Sequence, residues 1–330
     1  MKNFWDQLPK PFFCLAPMAD VTDVAFRRII AKYGGPDVLW TEFVSADGLI
    51  SRGRDRLLRD LIFTEAERPI VAQLFTAKPE KMFAAAKIIV ELGFDGLDIN
   101  MGCPDRKIEK QGAGAALMKN PPLAREVIAA AKAGVAGQLP VSVKTRLGYA
   151  RDELKTWLPE LLAENLAAVT IHARTRAELS RAPAHWDAIA RAVTIRNELK
   201  SQTLIIGNGD AKNLEMAKIR AEETGADGIM LGRAIFGNPF LFSELELRTH
   251  LKSAQGESFW IKKKLRVLAE HTELFETLLG DVKSFAVMKK HFKAYLSGLT
   301  NTNELKQKLM TALDAAAVKQ IVDKFLSSMI

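Results

Sequence analysis

The chain has 330 residues, is 48% hydrophobic and 26% charged, and carries a formal net charge of +8. That length accommodates a large core plus a smaller second domain, and the ordinary composition excludes a disordered or fibrous protein. No apolar run approaches the roughly 20 residues of a membrane span, so no membrane association is expected. Met1 to Gln7 contains no apolar h-region of a secretory signal. The two cysteines, Cys14 in an apolar run and Cys103 in a turn, fit a reducing cytoplasm better than a disulfide framework, and no Cys/His spacing suits a metal.

Short apolar, often β-branched runs fall at 12–17, 38–43, 70–74, 96–100, 141–144, 168–172, 204–208 and 228–231. Helical patterns separate most of them, at 22–32, 79–92, 121–133, 152–163, 186–199 and 213–224. Thr22 and Asp152 suit a helix cap, and Pro79 and Pro121 fit a first turn. Continuous apolar strands joined by crossover helices mean a parallel sheet. Eight such units in about 235 residues predict a (β/α)₈ TIM barrel. A doubly wound open sheet is the runner-up, weakened by the absence of a strand-linked GxGxxG loop.

From Pro239 onward the pattern is helical, with stretches at 241–252, 261–279, 284–296, 302–315 and 317–326 and a loop at 253–258. This predicts a barrel domain over 1–244 and a small all-helical C-terminal domain over 245–330. From Glu246 on, 14 Lys+Arg face 9 Asp+Glu, a net +5 of the chain's +8. A surface that meets a polyanion has this character; so does a solvated basic helix face. Lys262, Lys263 and Lys264, with Lys289, Lys290 and Lys293 at helical spacing, are the candidate phosphate contacts.

In such a barrel the active site lies at the C-terminal strand ends. Those ends carry Pro17-Met18, Glu42, Gln73, Asn100 with Cys103, Lys144 with Arg146, His172, Asn208-Gly209-Asp210 and Gly232-Arg233. Nearly every strand ends in a polar or cationic group, and such a set in register is hard to explain by packing, since each is costly to bury without a partner. Cys103 by itself reads equally as a small buried turn residue. The glycine turns after strands seven and eight, with Arg233, make a phosphate corner. Gln73 and Lys144 can grip a flat heteroaromatic ring. Phosphate and ring together describe a flavin mononucleotide (FMN), and a phosphosugar stays open on these grounds. The role of Glu42 is left open.

Ala16-Pro17-Met18-Ala19-Asp20-Val21-Thr22-Asp23, Asp98-Ile99-Asn100-Met101-Gly102-Cys103-Pro104, Lys144-Thr145-Arg146-Leu147-Gly148, His172-Ala173-Arg174-Thr175-Arg176, Gly207-Asn208-Gly209-Asp210, Gly232-Arg233-Ala234 and Met288-Lys289-Lys290-His291-Phe292 together resemble the tRNA-dihydrouridine synthases. Asp20 stands where many members have glycine, which is expected to alter the turn and spare the activity. The segment 178–185 is compatible with the family's variable active-site loop.

The resemblance implies an FMN enzyme that uses NADPH to reduce the C5–C6 double bond of particular uridines in tRNA. Pro17, Met18, Gln73, Lys144, His172, Asn208, Gly209, Asp210, Gly232 and Arg233 would contact FMN. Hydride would pass from the reduced flavin to uracil C6, and Cys103 would donate the proton to C5. Asn100 would meet the uracil edge, with Arg146, Arg174 and Arg176 as further substrate contacts and Lys289 and Lys290 on tRNA phosphates. A cytoplasmic monomer is expected. The alternative is a small-molecule FMN oxidoreductase of the dihydroorotate-dehydrogenase type, to which a basic tail is unnecessary. A non-catalytic RNA-binding barrel is a third reading, against which the intact Cys103 counts.

Overall fold

The computed structural model describes residues 3–243, 254–300 and 302–329, with side chains described from residue 258 in the second segment. The strands are β1 (Phe12–Leu15), β2 (Leu39–Ser45), β3 (Ile70–Phe75), β4 (Gly96–Asn100), β5 (Val141–Arg146), β6 (Ala168–His172), β7 (Leu204–Asn208) and β8 (Gly228–Leu231). All pair in parallel in the order β1-β8-β7-β6-β5-β4-β3-β2, and a bridge from Cys14 to Val38 joins the two ends. This is the TIM-barrel architecture. The helices are α1 (Val24–Gly34), α2 (Ala46–Leu49), α3 (Arg54–Leu58), α4 (Pro79–Glu91), α5 (Arg106–Glu109), α6 (Pro121–Val135), α7 (Leu154–Leu162), α8 (Trp186–Glu198) and α9 (Leu214–Thr224). After them come α10 (Ala254–Leu279), α11 (Met288–Tyr295), α12 (Asn303–Thr311) and α13 (Ala315–Ser327).

Local chemistry explains the boundaries. Asp23, Asn120 and Asn213 cap α1, α6 and α9 by accepting from the N–H groups of Phe26, Leu123 and Met216, which occupies donors that the helix cannot. Pro79 and Pro121 sit in first turns. Gly225 ends α9 at φ +68°, left-handed backbone that costs glycine nothing. Alternation sends Phe12, Cys14, Trp40, Val71, Ile206 and Met230 into the barrel core. Trp5 plugs its N-terminal end, with ring centroids 5.6 Å from Phe12 and 5.9 Å from Trp40.

Two compact units divide the residues. The first comprises Met1–Ala19, Pro36–Leu61 and Arg68–Gly232 and holds the eight strands. The second gathers Asp20–Gly35, Ile62–Glu67 and Arg233–Ile330, so α1 packs with the tail helices. Its core stacks Phe26 on His271, centroids 4.8 Å apart, and sets His291 edge-on to both. Arg27 is buried in an ion pair with Glu67 at 2.9 Å and donates to the carbonyls of Thr22 and Ile62. Asp20 adopts φ +54°, the left-handed backbone that glycine favours. Aspartate is among the few non-glycine residues that adopt it, because its short polar side chain can hydrogen-bond locally.

The expected boundary at 244/245 lies outside the described residues, as does most of the helical stretch at 241–252. The expected loop at 253–258 is helical from Ala254; a glycine such as Gly256 weakens a helix by only about 1 kcal/mol, which tertiary context overrides. Lys264 is another correction. It is 9% exposed, on the buried side of α10, and does not belong to a phosphate-facing stripe. None of the helices among the described residues is long and apolar enough to cross a membrane.

Candidate active site

Strand pairing sets three inward-facing neighbours side by side: Gln73 opposite Asp98, and Asp98 opposite Ser142. Gln73 Nε2 donates to Asp98 Oδ2 at 2.6 Å, and Ser142 Oγ donates to Oδ1 at 2.5 Å. Burial pushes the Asp98 carboxyl up to about 6, opposed by those two hydrogen bonds and the Lys144 charge. Gln73 Oε1 in turn accepts from Asn100 Nδ2 at 3.0 Å. Asn100 Oδ1 accepts from the backbone N–H groups of Gly102 at 3.1 Å and Cys103 at 2.9 Å. The asparagine thereby shapes the turn that carries the thiol.

That turn is clamped from other directions too. A Cβ on Gly102 would stand 3.1 Å from the Thr145 carbonyl carbon, so glycine permits the close approach. Arg146 Nε donates to the Gly102 carbonyl at 2.7 Å, and the Cys103 carbonyl accepts from Ala115 at 3.0 Å. Cys103 is half-buried. Desolvation raises its pKa above the ordinary thiol value, so it keeps its proton at neutral pH.

Lys144 lies beside Asn100 in the ladder and donates to Asn208 Oδ1 at 3.1 Å. Asn208 Nδ2 donates to the Met230 carbonyl at 2.7 Å, which fixes its oxygen toward the lysine. Desolvation, with the Arg146 charge, lowers Lys144 to about 8. His172 pairs with Asn208 across β6 and β7. Its Nε2 lies 3.2 Å from an Arg174 Nη1; a guanidinium only donates, so Nε2 accepts and the ring proton resides on Nδ1.

The arginines are engaged with protein. Arg146 also reaches the carbonyls of Thr175 and Leu179, and Arg174, 2% exposed, donates to the Ala182 carbonyl and pairs with Asp210. Asp210 further accepts from the Ala184 N–H. Together these bonds fasten the 178–185 loop over the strand ends. Arg176 pairs with Glu109 and lies over the Tyr149 ring, 5.2 Å from its centroid. Gly209 has φ +147°, and a Cβ there would come within 2.7 Å of Ala184. Pro17, Met18 and Gly232 are half-buried after β1 and β8.

The structure thus assembles all the expected site residues of the first unit around the C-terminal strand ends. Arg233, exposed, opens the second unit. Lys289 and Lys290 lie half-buried on α11 of that unit, with Lys293 exposed. Asp98 and Ser142 escaped the sequence reading; a charge at an inward position of an apolar strand was the available signal. A cavity of about 980 Å³, lined in part by Phe4, Trp5, Phe94 and Pro140, opens at the opposite, N-terminal end of the strands and contains none of the expected site residues. No cluster of three metal-ligating side chains exists among the described residues.

The site suits a flavin. Lys144 is a desolvated ammonium that donates to the neutral Asn208 amide and, among the described residues, makes no ion pair at contact distance, the Asp98 carboxylate acting on it only through space. An electron-rich ring edge is a partner that such a cation can take.

The dihydrouridine synthase (Dus) family model matches residues 14–330. The chain is 42% identical over 327 residues to the probable tRNA-dihydrouridine synthase 2 of Bacillus subtilis (strain 168), covering 98% of this chain and 97% of that one. It is 39% identical over 331 residues to the probable tRNA-dihydrouridine synthase of Staphylococcus aureus (strain COL), covering 99% and 97%. Among solved structures, morphinone reductase superposes with a TM-score of 0.54 at 13% identity, over 74% of this chain and 88% of that one, a likeness of fold. The protein belongs to the dihydrouridine synthase family.

Proposed function

We propose that this protein is an FMN-dependent, NADPH-recharged tRNA-dihydrouridine synthase in which Cys103 is the general acid. The observation that carries the assignment is the neutral, half-buried thiol on a turn whose backbone Asn100 and Arg146 hold at the end of β4. A bound, reduced flavin would supply the hydride for uracil C6. Cys103 gives its proton to C5, the double bond becomes a single bond, and the thiolate recovers a proton from solvent.

Lys144 and His172 would hold the ring edge, with Gln73 beside them and Pro17 and Met18 as the apolar floor. Asn208, Gly209, Asp210, Gly232 and Arg233 would serve the ribityl phosphate. Asn100 retains one amide hydrogen for the uracil edge. Arg146 and Arg174 would act on the substrate side through the loop they fasten, and Arg176 would act there from its place beside Glu109 and Tyr149. A uridine inside folded tRNA must be extruded to reach Cys103, and Lys289 and Lys290 would grip phosphates without reading sequence. The family match continues through the helical tail to Ile330, which supports an RNA substrate over a small pyrimidine.

The test maps dihydrouridine in tRNA from cells with and without the gene, alongside purified Cys103→Ala. The variant should retain flavin absorbance and NADPH oxidation while tRNA reduction falls about 10²-fold or more, the scale of a lost general acid. Unchanged tRNA in the deletion strain, or full turnover by the alanine variant, overturns the proposal.

A further inference from the structure

The hydrogen-bond chain behind Cys103 has fixed ends. At one end are the peptide N–H groups of Gly102 and Cys103, which can only donate. At the other is Asp98, an acceptor when ionised, 0% exposed and held by Ser142 and Gln73. Between them lie two amides, Gln73 and Asn100, each able to face either way. With the ends set, one arrangement satisfies every link: Gln73 turns its NH₂ to Asp98 and its oxygen to Asn100, and Asn100 turns its oxygen to the turn. If Gln73 flips, its NH₂ meets the NH₂ of Asn100. Asn100 must then flip as well, presenting NH₂ to two N–H donors, and the turn loses both bonds.

We propose that Asp98 is a positioning residue for the reaction, orienting the Gln73 and Asn100 amides so that Asn100 holds the Cys103 turn in its reactive geometry. The proposal rests on Cys103 being the acid. Asp98 acts through the amides and touches no reacting atom. Its requirement is specific: what matters is an acceptor facing Gln73, or a compensated reversal of the relay.

That specificity supplies the test. Asp98→Asn can keep an oxygen toward Gln73 while its NH₂ turns to the Ser142 hydroxyl, which is able to accept. Asn100→Asp puts carboxylates on both sides of one amide, so Gln73 can satisfy only one of them. The double variant Asp98→Asn/Asn100→Asp restores the count of one carboxylate and runs the relay in reverse, still leaving an acceptor on the Cys103 turn. Two readouts are taken on flavin-loaded full-length protein: turnover on tRNA, and the rate at which iodoacetamide alkylates Cys103 (with Cys103→Ala as blank). Asp98→Asn should stay within about fivefold of wild-type turnover, and Asn100→Asp should fall by about 10²-fold, the scale of a misplaced general acid. Relative to Asn100→Asp, which equally lacks the amide hydrogen assigned to uracil, the double variant should regain at least about tenfold in turnover, with a wild-type alkylation rate. If Asn100→Asp does not fold, the folding of the double variant is itself the rescue, and its turnover is compared with wild type. A double variant as impaired as Asn100→Asp, or folded but about 10²-fold below wild type, overturns the proposal. Because alkylation reports the turn without requiring uridine reduction, a wrong acid assignment would leave the alkylation pattern intact and abolish only the turnover pattern.

Discussion

An acid thiol needs the opposite of what a nucleophilic thiol needs. A nucleophile is helped by neighbouring positive charge and solvent, whereas Cys103 is desolvated enough to outweigh the nearby Arg146 and Lys144 charges. Lys144 has the complementary problem, since burial favours its loss of a proton at about 8. A lysine below its pKa is charged, so its hold on an electron-rich ring is present at pH 7 and declines as pH rises through 8. FMN affinity, measured by fluorescence quenching, should therefore weaken above pH 8 by up to about tenfold per pH unit. Lys144→Met should bind more weakly throughout and lack that limb. A flat wild-type profile would place the lysine elsewhere than on the flavin. Cys103, Lys144 and Asn100 were legible in the sequence because they stand at strand exits beside glycine or in an apolar run. The engagements of Arg146 and Arg174 were not, because they depend on where the 178–185 loop travels, and that of Arg176 was not, because Glu109 lies 67 positions away.

Among the elements, α10 and α11 divide their lysines between inside and outside. In α11, Met288, His291, Phe292 and Tyr295 are buried at helical spacing, leaving Lys289, Lys290 and Lys293 toward the other side. In α10, Lys264 is buried, and desolvation lowers it to about 8. Below pH 8 both folded and unfolded chains carry this charge, and the folded one bears the desolvation cost. Between about 8 and the ordinary lysine value the unfolded chain binds more protons, so stability rises with pH. Lys264→Met should stabilise the protein at pH 7 by on the order of 2 kcal/mol, with the advantage shrinking toward pH 10 in urea titrations. Equal stabilities at pH 7 would mean that the ammonium is solvated. Strand positions were readable to within a residue or two, because apolar β-branched runs buried on both faces have few alternatives. The short α2 and α3 after β2 were not, since four or five residues carry too little periodicity to register.

For the whole molecule, the basic excess and the helical tail together make an RNA-facing surface the economical reading. Charge reversal at Lys289, Lys290 and Lys293 should lower tRNA affinity about tenfold or more at 100 mM salt and flatten the salt dependence, as fewer counterions are released. Flavin content should be unaffected. Wild-type binding from 50 to 200 mM salt (about the range where such contacts register) would assign this face to solvent. The existence of a helical tail was plain from the loss of strand patterning after residue 239. Its partners were not, because nothing local in residues 20–35 or 62–67 signals that they pack with residues more than two hundred positions away.

That interleaving bears on how the protein can be recombined. The second unit is assembled from three stretches of chain, with Phe26 stacked on His271 and Arg27 sealed against Glu67. It is not a cassette that one crossover could transfer between paralogues. A chimera that swaps only the tail would set a foreign α10 against a native α1, whereas one that carries residues 20–35 and 62–67 along with it would move a complete packing unit. Inherited changes in RNA preference are thus expected to arise as coordinated substitutions across all three stretches.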